Sequence, residues 1–449
     1  MLAKALEHHR AGQLTEAEKI YRDILAIDAR QADSLHLLGM IAYQAGSHED
    51  AVTMIKSAIA INNRGASYHS NLGTVLQAQG KLKESAASYE RALALKPDLA
   101  EVHTNLGNIL RTLNKLDQAV ACHERALALK PDLTEARYNL GLAQLQQGNF
   151  ASGWANFERR WQTANFGTPM REYTQPLWTG GKLPSGRLLI WGEQGVGDEI
   201  MFAGLIPEAI CAGNRCVLDC DARLQPLFAR SFPGIDVISQ HDAGRSPEME
   251  IAAHLPSGSL PGLFRTNLAA FAATRSSYLC ADTIERQRFR ERYTTSGARK
   301  RQLIGLAWHT NNPRTGRYRS IDLSALAPLF ERTDLRWISL QYGDPSELEN
   351  QVASAGAPIH VDRAVDQLTN IDLFAAQVAA MDLVITIDNS TAHLAGALGI
   401  PTFVLLPFAP DWRWLQSGED SPWYPTLRLF RQSEQFDWQT PIKQILRAL

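Results

Sequence analysis

Residues recur along the first third of this chain at a fixed spacing of 34. The run Ala-Leu-Ala-Leu-Lys-Pro-Asp begins at Ala92 and again at Ala126, so Pro97 and Pro131 are 34 apart. Gly39, Gly73, Gly107 and Gly141 keep the same spacing, as do Leu38, Leu72, Leu106 and Leu140. Self-similarity of this length constrains the fold more than composition does. Each unit is one supersecondary element that cannot bury its apolar face alone, so successive units must stack. A glycine at a fixed place lets paired helices approach closely, and a proline ends the second helix.

With its Leu-Gly pair, its later alanine (Ala51, Ala119) and its closing proline, the unit resembles the tetratricopeptide repeat. Full units cover 32–167, and an incomplete unit before them carries Ala17 and Tyr21. In the last unit Gly153 replaces the second-helix alanine and the proline is missing, as expected of a terminal unit handing over to another domain. The resemblance implies an α-helical solenoid whose concave groove holds a peptide. Asn71, Asn105 and Asn139 also recur at 34 residues. Paired amide donors and acceptors can clamp an extended backbone, and the repeat-bearing O-linked N-acetylglucosamine transferases use such a ladder. Asparagine at this position is also common in tetratricopeptide repeats generally, and Leu37 interrupts the series.

The chain has 449 residues, enough for two or three domains. Lys+Arg 45 against Asp+Glu 47 gives a formal net charge of -2, which excludes a nucleic-acid-binding field. No segment reads as a signal peptide or a bilayer span. The five cysteines lack metal-site spacing. A reducing cytoplasmic setting is the expectation.

After the Pro/Gly/Thr-rich stretch 167–186, strands alternate with helices. The first series has strands at 187–191, 216–219 and 236–238, with 251–253 as a further candidate. The second follows the charged segment 285–301, with strands at 303–308, 337–340, 359–361, 383–387 and 402–406. Two such series joined by a charged hinge suggest two Rossmann-like lobes with a cleft between them. The run from Asp382 to Pro407 is the most telling. An apolar strand feeds the turn Asp388-Asn389-Ser390-Thr391 and a helix bearing His393, a place where parallel sheets seat anions. An ordinary helix cap explains Ser390 and Thr391 equally well.

Several patterns carry less. Gly192-x-x-Gly195-x-Gly197 matches no nucleotide-binding loop. Asp219-Cys220-Asp221 is a three-residue D-x-D and a weak metal signal. Trp412 and Trp414 read as core residues before ligand contacts.

Gly197-Asp198 after the first strand, the Asp388-to-His393 turn and Leu398-Gly-Ile-Pro401 together resemble the ADP-heptose:lipopolysaccharide heptosyltransferase family. That likeness covers 187–449 and is thin between 221 and 299. Joined to a repeat array, it is similar to a bacterial group of tetratricopeptide-repeat glycosyltransferases that share Pro407-Phe-Ala-Pro-Asp-Trp-Arg-Trp414 and Ser421-Pro-Trp-Tyr-Pro425. The resemblance implies a GT-B fold, inverting transfer, and Asp198 as catalytic base. It implies donor diphosphate and ribose binding by Arg319, Asp388, Asn389, Ser390, Thr391 and His393. The family usually has lysine where Arg319 stands, and Arg317 and Arg314 compete with Arg319 for the role. Gln341, Gly343 and Asp344 are candidates to meet the nucleobase, and Glu193 and Glu199 rival Asp198.

The expected organisation is therefore a repeat array at 1–165, a linker at 166–186, an acceptor-side lobe at 187–299 and a nucleotide-sugar lobe at 300–449. The expected function is metal-independent transfer from a nucleotide-sugar donor to a protein or peptide acceptor in the repeat groove, with no bound cofactor. Alternatives are transfer to a surface glycan or lipopolysaccharide, and a repeat scaffold whose GT-B part has lost catalysis. A sugar-nucleotide epimerase shares the architecture but has no use for a repeat groove.

Overall fold

The computed structural model describes residues 1–164, 166–239, 250–294, 301–313 and 315–449. The chain forms two compact units, Met1–Gln144 and Leu145–Leu449. Arg314, a candidate for the phosphate role, lies outside the described residues.

The N-terminal region is a run of paired antiparallel helices: Leu2–Arg10 with Leu14–Ile27, Ala32–Gln44 with His48–Ile61, Ala66–Ala78 with Leu82–Leu95, and Ala100–Thr112 with Leu116–Leu129. The segment expected to be an incomplete first unit is thus a full helical pair. The repeated glycines act by close approach. A Cβ on Gly73 would sit 2.8 Å from the Tyr89 ring, and one on Gly107 would sit 2.6 Å from the His123 ring. A second 34-residue series marks the turns within pairs. Gly12, Gly46, Gly80 and Gly148 have φ of +74, +84, +75 and +84°, and Asn114 fills the missing place at +58°. Among L-residues asparagine tolerates this left-handed geometry best. Each pair buries its apolar stripe against the next, as where Tyr89, Leu106 and Ile109 share one cluster.

The second unit holds two all-parallel sheets. In the first, β1 (Arg187–Trp191), β2 (Cys216–Cys220), β3 (Asp236–Ser239) and β4 (Ile251–Pro256) lie in the order β3-β2-β1-β4. In the second, β5 (Gln302–Ala307), β6 (Leu335–Ser339), β7 (Ile359–His360), β8 (Leu383–Ile387), β9 (Thr402–Leu406) and β10 (Leu427–Arg431) lie in the order β10-β9-β8-β5-β6-β7. Renumbered from β5, that is the 3-2-1-4-5-6 order of doubly wound sheets, whose ligand crevice opens where the order reverses. Here the reversal lies between β5 and β8, which pair directly, Leu306 opposite Ile385. Ile304, Ile385, Leu405 and Phe430 fill the core beneath. The strand β10 escaped the sequence reading.

Three boundaries differ from expectation. The helix Phe150–Phe157, expected to close the repeat array, belongs to the second unit. Trp154 meets Trp412 edge-on at 5.2 Å and donates from Nε1 to the Arg265 carbonyl at 2.9 Å. The presumed linker is docked: Trp178 N donates to His254 O (2.8 Å), and His254 N donates to Pro176 O (3.1 Å), extending the β4 edge. The charged segment read as a hinge contains the helix Thr283–Thr294, bound by Arg290 to Asp382 (2.6 Å) and by Arg292 to Asp362 (2.7 Å). Amphiphilic arginines on a helix mimic a solvated linker in sequence, while their ion pairs fasten it to the second sheet's periphery.

Candidate functional site

Two eight-residue helices start at the carboxyl ends of their sheets and meet at their N-termini. Val196–Ala203 follows β1, and Ser390–Ala397 follows β8. Glycine is required where they touch, because a Cβ on Gly197 would lie 3.2 Å from His393 Cδ2 and 3.5 Å from Ser390 Cα. A cleft of about 450 Å³ opens there, lined by Gly197, Asp198, Arg319, Asp388, Asn389 and Arg413 among others. The structure thus brings together Asp198, Arg319, Asp388, Asn389, Ser390, Thr391 and His393, residues spread over nearly 200 positions of sequence.

Each lining side chain has a distinct state. Asn389 caps its helix: Oδ1 accepts from Thr391 N (3.0 Å), Ala392 N (3.4 Å) and Thr386 Oγ1 (3.0 Å). The Thr391 and Ala392 amides are therefore spent on the cap, correcting the expectation that they hold an anion. The Asn389 Nδ2 donor is buried with no partner. Asp388 receives Trp414 Nε1 at 2.7 Å on Oδ1, and Arg319 Nε lies 3.3 Å from Oδ2. Burial raises the Asp388 carboxyl above the usual range, against the pull of Arg319. Arg319 lines the cleft. Arg317 instead bonds Tyr318 Oη and lies over that ring.

His393 is stacked on Trp414 at 5.1 Å, and its Nδ1 lies 2.9 Å from Tyr424 Oη. Burial and the neighbouring Arg413 push its pKa down to about 3. It is neutral at physiological pH, so it offers a hydrogen bond and no positive charge.

Asp198 caps its helix and is ion-paired at the same time. Its Oδ2 accepts from Gly195 N at 3.3 Å, closing a cap on its helix, and its Oδ1 pairs with Arg413 Nη2. Arg413 also pairs with Asp411 and lies 4.4 Å over the Trp412 ring. Trp412 and Trp414 are buried, in keeping with core roles. The rival carboxylates are inward. Glu193 is held by Arg160 from Nε and Nη2, both at 3.2 Å, and Arg160 also donates to Ser259 Oγ at 2.8 Å. Glu199 accepts from Asp221 N at 2.9 Å. Burial pushes both carboxyls up to about 7. Neither lines the cleft.

The nucleobase candidates serve the scaffold. Gln341 Oε1 accepts from Trp308 N and His309 N (2.9 and 2.8 Å), and its Nε2 donates to His309 O and Tyr342 O (both 3.1 Å). With its amide saturated, it clips the loop after β5 and does not face the cleft. Asp344 caps the helix Pro345–Ser354, and Gly343 takes φ +141° before it. Tyr342, unmarked in the sequence reading, is the member of this loop that lines the cleft. In the D-x-D pair, Asp219 is bound by Arg171 at 2.5 Å and Asp221 by Arg223 at 2.7 Å. No group of three metal-ligating side chains occurs among the described residues.

In the repeat region Asn71, Asn105 and Asn139 are each half-buried. Asn71 Nδ2 lies 2.7 Å from His36 Nε2, one repeat earlier. Arg413 and Asp411 were the residues overlooked. The sequence signal was two opposite charges inside the otherwise apolar and aromatic run 407–414.

No helix among the described residues is long and apolar enough to cross a membrane. Family models for the tetratricopeptide repeat match residues 2–67, and those for the TPR repeat match 75–111 and 107–148. The chain is 30% identical over 323 residues to Protein FlbA of Caulobacter vibrioides, covering 68% of this chain. It spans 53%, about half, of that relative's length. Similar solved structures include MamA (21% identity, 34% of this chain, 91% of that chain, TM-score 0.33). Others are PilF of Pseudomonas aeruginosa (21%, 35%, 72%, 0.33) and YrrB, described as a TPR protein with an unusual peptide-binding site (20%, 35%, 81%, 0.32). With its paired helices and matching models, the N-terminal region of this chain is a tetratricopeptide-repeat array.

Proposed function

We propose that Leu145–Leu449 is a GT-B glycosyltransferase that moves a sugar from a nucleotide-sugar donor to a protein acceptor recruited by the repeats. The observation that carries this reading is the meeting of two helix N-termini at the carboxyl ends of two parallel sheets. First-turn amides such as those of Val196, Gly197 and Ser390 have no acceptor within their helices, and the two dipoles add their positive ends in one cleft. Arg319, Arg413 and the unpartnered Asn389 amide supply further donors. That inventory suits a diphosphate.

Asp388 has no business facing phosphate directly, since like charges repel. Its buried carboxyl, which already accepts from Trp414 Nε1, suits a ribose hydroxyl. In the proposed step the acceptor hydroxyl attacks the anomeric carbon. The new C–O bond forms as the bond to the diphosphate oxygen breaks, and that oxygen leaves with the electron pair. The hydroxyl proton passes to the Asp198 carboxylate. The developing charge on the leaving group is met by the helix amides and guanidiniums.

A thermal-shift screen against ADP-, UDP-, GDP- and dTDP-sugars tests the donor site, because a ligand of the native state raises its melting temperature by mass action. A saturable shift followed by transfer of labelled sugar to protein supports the proposal. A shift without transfer or donor hydrolysis favours a binding-only scaffold, a second reading motivated by the ion pair that occupies Asp198. No shift with any donor removes the donor site.

A further inference from the structure

The Asp198–Arg413 pair joins the two sheets' helices across the cleft, and its two halves are held very differently. Arg413 sits in the turn Trp412–Trp414, whose Asp411 accepts from its backbone N–H at 3.2 Å. Its Nη1 is bound to Asp411, and its guanidinium is layered on Trp412. That edge is fixed. The Nη2 edge is the one aimed into the cleft, where it meets Asp198 and lies 3.4 Å from Gln194 Oε1. Asp198 is held by Arg413 and by a long 3.3 Å contact from Gly195 N.

Charge balance bears on what happens when an anion enters. Asp198, Asp388 and Asp411 face Arg319 and Arg413 in the cleft. Three carboxylates there already share two guanidiniums. A diphosphate adds charge that nothing yet neutralises. The Nη2 edge of Arg413 is a mobile-partner donor already oriented into the cleft, and a phosphate and Asp198 compete for it. Both Asp198 oxygens are already engaged, Oδ1 by Arg413 and Oδ2 by Gly195 N, so neither is free to meet an acceptor hydroxyl.

We propose that this ion pair is a latch worked by the donor: the diphosphate takes the Nη2 edge of Arg413, and Asp198 is thereby released to act as a base. Arg413 is then a diphosphate ligand as well as the restraint on Asp198. An empty cleft keeps its base paired, so an acceptor arriving before the donor finds no free carboxylate. The inference rests on the nucleotide-diphosphate reading of the cleft, and its test separates the two.

The affinities of ADP, UDP, GDP and dTDP are measured by calorimetry on the full chain as wild type, Asp198→Asn, Asp198→Ser, Arg413→Ala and the double variant Asp198→Asn/Arg413→Ala. Circular dichroism melting checks each fold. If the carboxylate competes with phosphate, both Asp198 variants bind the preferred diphosphate roughly three- to tenfold tighter than wild type. Arg413→Ala binds more weakly, and in its background Asp198→Asn no longer tightens binding, because the competed group is gone. Unchanged or weaker binding by folded Asp198 variants, where the wild type binds, overturns the latch and leaves the nucleotide site standing. Failure of wild type and variants to bind any of the four overturns the nucleotide reading, and the latch with it.

Discussion

Trp414 donates from Nε1 to Asp388 Oδ1 at 2.7 Å while its ring stacks on His393 at 5.1 Å. One buried side chain thus orients both the acidic strand end and the neutral histidine of the cleft. Trp414→Phe keeps much of the stack and removes the donor. A buried carboxyl losing a hydrogen bond costs about 1–3 kcal/mol. Urea unfolding should show that loss, and an unchanged midpoint would place little weight on the bond.

Arg319→Ala should weaken nucleoside diphosphate binding by about 1.5–3 kcal/mol, the size of a charge-assisted hydrogen bond. Arg319→Lys should restore part of it as a point charge without the guanidinium fork. Calorimetry on both variants checks the order; equal affinity in all three proteins would move the phosphate away from this loop.

Asp198→Asn should lower the transfer rate about 10²–10⁴-fold through loss of the base. The amide keeps an oxygen for Gly195 N, so the melting temperature should stay close to wild type. Rate and melting curve must be read together: an early-melting variant with normal turnover would make Asp198 a cap and nothing more.

Glu199 sets a pH dependence of stability. Burial raises its folded pKa to about 7 from an ordinary carboxylate value, so its favourable contribution is complete in acid, below the unfolded pKa. It is lost as pH rises through 7, where the buried group must ionise. Glu199→Gln keeps an acceptor for Asp221 N and removes the ionisation. The variant should gain on the order of 1–3 kcal/mol over wild type at pH 8 and little at pH 4. Denaturant midpoints at the two pH values decide it.

In the repeats, Asn114 is the non-glycine member of the left-handed turn series, with φ +58°. Asn114→Val should cost about 1–2 kcal/mol, the penalty of a β-branched side chain there, and Asn114→Gly, which adopts this φ freely, should cost less than Asn114→Val. Thermal melts of both variants test it.

The repeat architecture was legible because its information is local and written several times over. Leu-Gly pairs, prolines and the turn glycines each fall on the same 34-residue spacing. The strands of the second unit were legible as apolar runs, and their alternation with helices pointed to parallel sheets. What stayed hidden depends on distant partners. Arg160 looks like an ordinary surface charge in sequence and is buried among Glu193, Glu158 and Ser259, its partners from three separate segments. Gln341 looked like a ligand residue, since a polar side chain at a strand end reads the same whether it binds a base or clips a loop. The pairing of Asp198 with Arg413 spans 215 positions, and no local pattern announces it. The Phe150–Phe157 helix misled for the opposite reason: its periodic position was right, while its aromatic residues answered to Trp412 and Trp423.

That last helix has a practical meaning. Its tryptophan is a wedge in the aromatic wall formed by Trp412, Trp423 and Phe271, alongside Phe150 on Phe271 at 4.8 Å. A protein trimmed at the apparent end of the repeats, near residue 165, would leave that wall open to water and sticky. The seam at which one array of repeats can be exchanged for another lies earlier, so a transplant must carry its recipient's own final hairpin.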